Sequence, residues 1–423
     1  MSMNLAYLRT FLAVADTGSL SAASRMLFRA PSAVTRTIQE LEQLLNTQLF
    51  ERRPGGIVPT SAAVAMLPRV HAVMRELTAW SKEKVPNVQP EAMYKYVPQG
   101  VLCGRRLEMF TGLLRYRHMP TVAKQVGVSQ PAVSAAISSL EACISERLFV
   151  RTTRGLSPTD HAALLGQSTR RALNDVARLR SDIASRMGEI TGEVVVGALP
   201  LVRNSILPEA IAQLVAAHPN VRVSTVESPF EDLCAALRAG ELDFIVGALR
   251  DTDYAPDFET RELFREPLAI VVRHGHPLTE RRSVSLNDLA GYRWITPRRH
   301  TPARALLSRA FSALNHPEPA VVVETGDAAI VRRLLAKSDL LAAVSASQMS
   351  TEIESGEVAA LPVSLSGTVR SIGITRRAGV LESPAAMRLA QMIALNVSAT
   401  AAQPALVSNA ASDLSAPSRS FTH

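Results

Sequence analysis

Cysteine is scarce in this chain. Cys103, Cys143 and Cys234 stand far apart and lack the short spacing of a metal-ligand pair, which excludes a disulfide framework or a zinc module and suits a reducing compartment. No apolar run approaches the roughly 18 residues needed to cross a bilayer. The opening Met1-Ser2-Met3-Asn4-Leu5-Ala6 passes directly into an amphipathic pattern instead of a basic and apolar leader. The expectation is a soluble, cytoplasmic protein with no membrane partner. Also missing are a Gly-rich phosphate loop, a nucleophile elbow and any His, Asp and Ser set at a catalytic spacing. We expect no enzyme, no cofactor and no metal.

What is present is length and an uneven charge. A chain of 423 residues, 47% of them hydrophobic, is too long for one core and can bury several. Through residue 190 there are 24 Lys and Arg against 14 Asp and Glu, and after it 22 against 24, so all of the excess positive charge lies in the first part. A basic part joined to a near-neutral part suggests that only one of them meets a polyanion.

The basic part carries a pattern twice. Val133, Ile137 and Leu140 recur at helical spacing, with Gln130, Ser134, Ser138 and Ser139 on other faces. Just upstream, Val122 to Val126 makes a short helix that Gly127 can end. Helix, tight turn and second helix is a helix-turn-helix, although alone it is equally a plain helical hairpin. A shift of 99 residues reproduces it, pairing Leu8 with Leu107, Phe11 with Phe110, Val34 with Val133, Glu42 with Glu141, Leu49-Phe50 with Leu148-Phe149 and Pro59-Thr60 with Pro158-Thr159. The shift continues into a coiled-coil seam of Met66, Val70, Val73, Leu77 and Trp80, matched by Leu165, Thr169, Ala172, Val176 and Leu179. Pro68 is expected to disturb the first of these helices. Between the copies, Val85 to Gly100 holds three prolines and no helical period and reads as a linker, able to span roughly 50 Å if extended. Arg170, Arg171, Arg178, Arg180 and Arg186 read as a solvated helix face, with phosphate contact as the alternative.

These residues resemble the LysR-type transcriptional regulators. The resemblance rests on Ala33-Val34-Thr35, Leu41-Glu42 and Leu49-Phe50-Glu51-Arg52 in the first copy, and on Ser129-Gln130-Pro131-Ala132-Val133-Ser134 and Leu148-Phe149-Val150-Arg151 in the second. Two such modules in one chain depart from the family's usual single one. After residue 191 short strands and helices alternate as in an α/β sheet, and Val369 to Thr375 supplies a strand that returns to the first of two units. Two lobes crossed twice resemble the type 2 periplasmic-binding-protein fold of the LysR effector domain. Ile206-Leu207-Pro208, Leu237 to Asp243, His274 to Pro277 and Asp288 to Tyr292 carry that match, most like the branch answering to sugars or aromatic acids.

The expected fold is multidomain: two α-helical winged helix-turn-helix domains with long linker helices, then a two-lobed α/β effector domain. The boundaries are 1–61, a linker helix 62–84, a linker 85–103, a second winged module 104–160, a dimerisation helix 161–190, an effector domain 191–397 and a disordered tail 398–423. Lobe one takes 191–267 and 368–397, and lobe two takes 268–367. Ser32, Thr35, Arg36, Gln39, Ser129, Gln130, Pro131, Ser134 and Ser138 are the candidate base-reading residues, and Arg52, Arg53, Arg151 and Arg154 the candidate phosphate contacts on the wings. Strand ends and helix starts nominate Pro200, Val202, Arg203, Asn204, Glu227 and Ser228 from one lobe, with Arg298, Thr301, Thr325, Gly326 and Asp327 from the other. The arginines suit an anionic effector: a sugar acid or an aromatic or other organic acid, with a neutral sugar as the other class. Expected partners are double-stranded DNA, that small molecule and further copies of the chain as a dimer or tetramer, with RNA polymerase as a further candidate. A secreted solute-binding protein and a non-specific nucleoid protein are the rivals. The first lacks a leader, and the second has no use for two lobes.

Overall fold

The computed structural model describes residues 3–79, 89–152, 155–250, 256–363 and 365–401. The end of the first seam at Trp80, the start of the linker, Arg154 and the tail beyond residue 401 lie outside the described residues.

The repeated sequence folds into a repeated structure. Helices α1 (Leu5–Thr17), α2 (Leu20–Met26) and α3 (Pro31–Leu45) lead into a hairpin of β1 (Phe50–Arg53) and β2 (Gly56–Pro59), then α4 (Ser61–Ala79). The order recurs as α5 (Gly104–Tyr116), α6 (Met119–Val126), α7 (Gln130–Ile144), β3 (Phe149–Thr152), β4 (Gly155–Pro158) and α8 (Asp160–Arg186). The repeated Leu-Glu and Leu-Phe pairs have one physical job. Glu42 Oε1 accepts from the backbone N–H of Leu49 at 2.7 Å and of Phe50 at 3.3 Å, and Glu141 Oε1 accepts from Leu148 and Phe149 at the same distances. Thr60 and Thr159 each donate to a carbonyl at the base of the wing, at 2.8 Å. Each wing is thereby fixed to its third helix.

One contiguous apolar core runs from Leu5 to Ile183, through both copies. Its spine is α4 packed on α8, and the pair is antiparallel: Arg69 meets Asp175 and Asp182, while the later Glu76 meets the earlier Arg171 at 3.7 Å. Helix α4 runs through Pro68 without a break. The proline removes one backbone bond, and the buried face along α8 holds the helix in place.

Arg69 lies at the centre of this interface, with its side chain fully buried. Its Nε and Nη2 donate to Asp182, its Nη1 to Asp175 at 2.9 Å, and Nη1 and Nη2 also to the carbonyls of Leu381 and Glu382 at 3.2 and 2.9 Å. All the donors of the guanidinium are used. Burial works against the cation, but the hydrogen bonds and charge of Asp182 and then Asp175 more than offset it, and the guanidinium stays charged. Burial pushes the Asp175 carboxyl up even beside Arg69 and Arg178.

The described part of the linker is folded. Residues Pro90–Tyr96 and Gln99–Leu102 form two 3₁₀ turns, each with a proline at or just before its start. Tyr94, Val97, Val101 and Leu102 are buried in the shared core, and the Tyr94 hydroxyl donates to Asp16 at 2.7 Å. A step of three or four residues between apolar side chains was enough to dock it.

The second half has two lobes. The first contains β5 (Gly192–Ala198), α9 (Ile206–Ala217), β6 (Val221–Val226), α10 (Phe230–Ala239), β7 (Phe244–Ala248) and β8 (Phe258–Glu266). The second contains β9 (Leu268–Arg273), α11 (Leu286–Leu289), β10 (Arg293–Thr296), α12 (Pro302–Ala313), β11 (Ala320–Glu324), α13 (Ala328–Leu335), β12 (Leu341–Ser345), α14 (Ser350–Glu354) and β13 (Val358–Ala360). Then β14 (Arg370–Arg377) returns to the first sheet, antiparallel to β7 and β8, and α15 (Pro384–Ala401) closes that lobe. The strand orders are β6-β5-β7-β14-β8 and β11-β10-β12-β9-β13. Each sheet is mixed, with a parallel part and antiparallel strands at one side. Sequence reading missed β8 because Phe258-Glu259-Thr260-Arg261-Glu262 has no apolar alternation. It is an edge strand, charged where it faces water.

Of the arginines of α8, Arg180 and Arg186 are exposed, as a solvated face requires, but Arg171 and Arg178 are turned to lobe one. Arg171 Nε and Asn174 Nδ2 donate to the carbonyls of Arg238 and Gly240 at 2.6 Å each, and Arg178 pairs with the nearly buried Asp243 at 2.7 Å. The C-terminal carbonyls of α10 have no intrahelical partners, and α8 supplies donors and positive charge to them. The segment Leu237 to Asp243 is therefore the seam on which lobe one docks.

Candidate DNA interface and effector cleft

The third helix of each winged module buries one stripe and exposes another. In α3 the core takes Val34, Ile38, Leu41 and Leu45, leaving Ser32, Arg36 and Gln39 exposed and Thr35 half-buried, with its hydroxyl donating to the Pro31 carbonyl at 3.0 Å. In α7 the core takes Val133, Ala136, Ile137, Leu140 and Ile144, and Ser129, Gln130, Pro131, Ser134 and Ser138 are all exposed. Ser129 caps α7 by accepting from the Ala132 N–H at 3.4 Å, whereas its counterpart Ala30 gives α3 no side-chain cap. On the wings Arg52, Arg53 and Arg151 are exposed, and Arg53 pairs with Glu51 at 3.0 Å. Arg36 is held by Glu40 at 2.8 Å, and Tyr7 donates to the same carboxylate at 2.7 Å. The bonds from Tyr7 and Arg36 hold the Glu40 carboxyl below the usual carboxylate range. The pair occupies Nε of a guanidinium whose side chain is otherwise exposed.

The structure brings the effector candidates of both lobes to facing edges. Pro200 and Val202 form a 3₁₀ turn after β5. Val202 is a correction, since its side chain is fully buried in the core of lobe one and offers a ligand nothing. Across the gap, a Cβ at Gly326 would sit 3.4 Å from the Pro200 ring, so both lobes touch there. Asn204 Nδ2 donates to the Gln348 carbonyl at 2.8 Å, and Gln348 Nε2 to the Gly326 carbonyl at 3.3 Å. Gln348 went unnoticed in the sequence because only the fold brings the turn after β12 to lobe one. Arg203 is half-buried and donates through Nε to the Ala198 carbonyl at 3.0 Å. Burial pushes its pKa below the ordinary arginine value, against the nearby carboxylates of Glu227 and Asp327.

Other candidates serve as helix caps or stand apart. Thr325 accepts from the Asp327 N–H and Asp327 from the Ile330 N–H, each at 3.1 Å, and Thr301 caps α12 and donates to the Arg298 carbonyl at 2.7 Å. Arg298 and Glu227 are exposed, and Ser228 is half-buried. A cavity of about 600 Å³ is lined by Arg250 of lobe one with Arg299, His300, Thr301 and Arg304 of lobe two. Arg250, which the sequence did not nominate, stacks over Phe230 with its guanidinium carbon 4.5 Å from the ring centroid. Arg299 and Arg304 share Glu324 at 3.1 and 3.3 Å, so these cations are already paired.

The chain matches two protein-family descriptions. Residues 5–64 and again 105–163 match the bacterial regulatory helix-turn-helix protein of the lysR family, and residues 187–396 match the LysR substrate binding domain. It is 46% identical over 386 residues to the HTH-type transcriptional regulator GalR of Pseudomonas putida, covering 91% of this chain and 95% of that one. It is 31% identical to the SDS degradation transcriptional activation protein of a Pseudomonas species, covering 68% of this chain and 94% of that one. Among solved structures, a full-length OxyR variant from Pseudomonas aeruginosa aligns with a TM-score of 0.51 at 22% identity, over 69% of this chain and 97% of that one, which supports the fold. Among the described residues no helix is long and apolar enough to cross a membrane.

Proposed function

Because the chain belongs to the LysR family of bacterial transcriptional regulators, DNA-binding proteins with a small-molecule effector domain and not enzymes, we propose that one chain presents two unlike DNA-reading modules, at 1–61 and 104–160, to two half-sites. The observation that carries this reading is the antiparallel packing of α4 on α8 within one core. Arg69 on α4 finds its anions, Asp175 and Asp182, on α8 of the same chain, inside that shared core. Gln130, Pro131, Ser134 and Ser138, and Ser32, Thr35, Arg36 and Gln39 in the other module, read bases. Arg52, Arg53, Arg151 and Arg154 hold phosphates. Further association of chains to a dimer or tetramer, and contact with RNA polymerase, belong to the same proposal. Selection of bound DNA from a random pool, with footprinting by the full chain, tests it: two separated, unlike protected half-sites are expected, and a single protected site rejects it.

Within that reading, Arg151→Ala should weaken binding to every DNA sequence roughly alike and flatten the salt dependence. Gln130→Ala should cost about 1–3 kcal/mol at one or two base pairs only. Titration against the selected site and scrambled DNA at several salt concentrations separates the two. An equal loss on both DNAs for Gln130→Ala removes it from base readout.

The effector is proposed to be a small organic acid held between the lobes. Support comes from Arg203, a desolvated cation whose hydrogen-bond partner is a neutral carbonyl, a setting in which an added carboxylate is worth most. Arg298 is its proposed counterpart in lobe two, and closure of the lobes shifts the placement of the DNA-reading modules through the seam on α8. Arg203→Ala should abolish thermal stabilisation by the effective acid and leave DNA affinity without ligand unchanged. Stabilisation by neutral sugars alone in a screen of sugars and organic acids overturns the ligand class.

A further inference from the structure

The turn before each recognition helix closes with the same backbone bond: the Arg29 N–H donates to the Ser24 carbonyl at 3.0 Å, and the Val128 N–H to the Ala123 carbonyl at 2.9 Å. The residue inside each turn is left-handed, at φ 69 for Gly127 and φ 52 for Phe28. Glycine takes that conformation without strain, but an aromatic L-residue does not. Nor does packing repay the strain, because Phe28 is 96% exposed. Its neighbours Arg25, Arg29, Ala30, Pro31 and Ser32 are exposed too, so an apolar ring stands between two cations at the end of α3 that carries the base-reading residues.

The two modules also differ where the third helix begins. Ser129 and Gln130, which begin α7 with hydrogen-bonding side chains, have Ala30 and Pro31 as their counterparts, which have none. The first module has no hydrogen-bonding side chain at these two positions and an exposed ring beside them. The major groove offers one apolar group, the C5-methyl of thymine. Flanking arginines favour a polyanion over an apolar protein surface as the neighbour of this ring.

We propose that Phe28 is a specificity-determining residue that packs on a thymine methyl in the first module's half-site. The inference rests on the reading that the first module binds DNA. The test uses the full chain and the two half-sites found by selection and footprinting. Each thymine of the first half-site is replaced, one at a time, by deoxyuridine, which lacks only the methyl. At one position the wild type should lose about three- to fivefold in affinity, the factor for one buried methyl group. Phe28→Gly should lose a similar factor on the thymine DNA and be indifferent to the replacement, while melting no lower than the wild type because glycine suits the turn. Phe28→Leu should keep the sensitivity, which guards against a Phe28→Gly chain that folds poorly. A protected first half-site with no sensitive thymine in the wild type overturns the role of Phe28 alone. So does a loss in Phe28→Gly that is equal on all DNA, which fits a protein contact or a structural role. A first half-site that is not protected at all overturns the DNA reading of the first module and this inference with it.

Discussion

Replacing Arg69 with leucine is expected to destabilise the chain by about 3–5 kcal/mol, the cost of removing one partner from a buried ion pair. The substitution leaves Asp175 and Asp182 inside the α4–α8 interface without their cation, and the Leu381 and Glu382 carbonyls without their donors. An exposed pair behaves differently, with a worth of about 0–1 kcal/mol. Calorimetric melting of the full chain checks this, the loss falling on the transition of the helical half, whose core reaches Ile183. Adding Asp175→Leu and Asp182→Leu to Arg69→Leu should restore much of the stability, because an apolar replacement of a whole buried network is often neutral or stabilising. A loss of under about 1 kcal/mol for Arg69→Leu alone would mean that water reaches the site and screens it.

Perfect palindromes built from two copies of either half-site should bind at least about tenfold more weakly than the selected, imperfect palindrome, since each wrong base pair costs about 1–3 kcal/mol. The reason is covalent. Both modules sit in one core, so once one half-site is engaged the other is met at an effective concentration on the order of millimolar, set by the chain and not by protein concentration. Modules that differ at Ala30 and Ser129, at Pro31 and Gln130, and at Arg36 and Ala135 are expected to prefer different bases. Titrations with native mass measurement give affinity and stoichiometry together, with one chain per pair of half-sites expected. If a perfect palindrome binds more tightly and takes up two chains, the modules of separate chains pair and the internal pairing is wrong.

Much of this fold was legible as text. The 99-residue repeat announced two winged modules because the Leu-Glu and Leu-Phe pairs are local devices: a carboxylate seven residues before the backbone N–H it accepts from needs only a helix end between them. The alternation of short strands and helices after residue 191 announced two α/β lobes, and the returning strand was read at Val369. Edge strand β8 was illegible, since its charges satisfy water and not a core. The docking of the linker was not legible, because its prolines break any helical period, while its apolar residues needed only short turns to reach a shared core.

The sequence by itself determined which faces are apolar, where helices start and stop, and which short polar side chains remain on α3 and α7, because these follow from neighbours within a few turns. Only the tertiary structure decided what long side chains do. Arg69, Arg171 and Arg178 are written like any surface arginines, and their partners Asp182, Arg238 and Asp243 lie 113, 67 and 65 residues away. A guanidinium's role is set by the dielectric around it and the acceptors it meets, and both exist only after α4, α8 and lobe one have come together. The same holds for Arg203, whose partial burial and bond to the Ala198 carbonyl exist only in the folded protein.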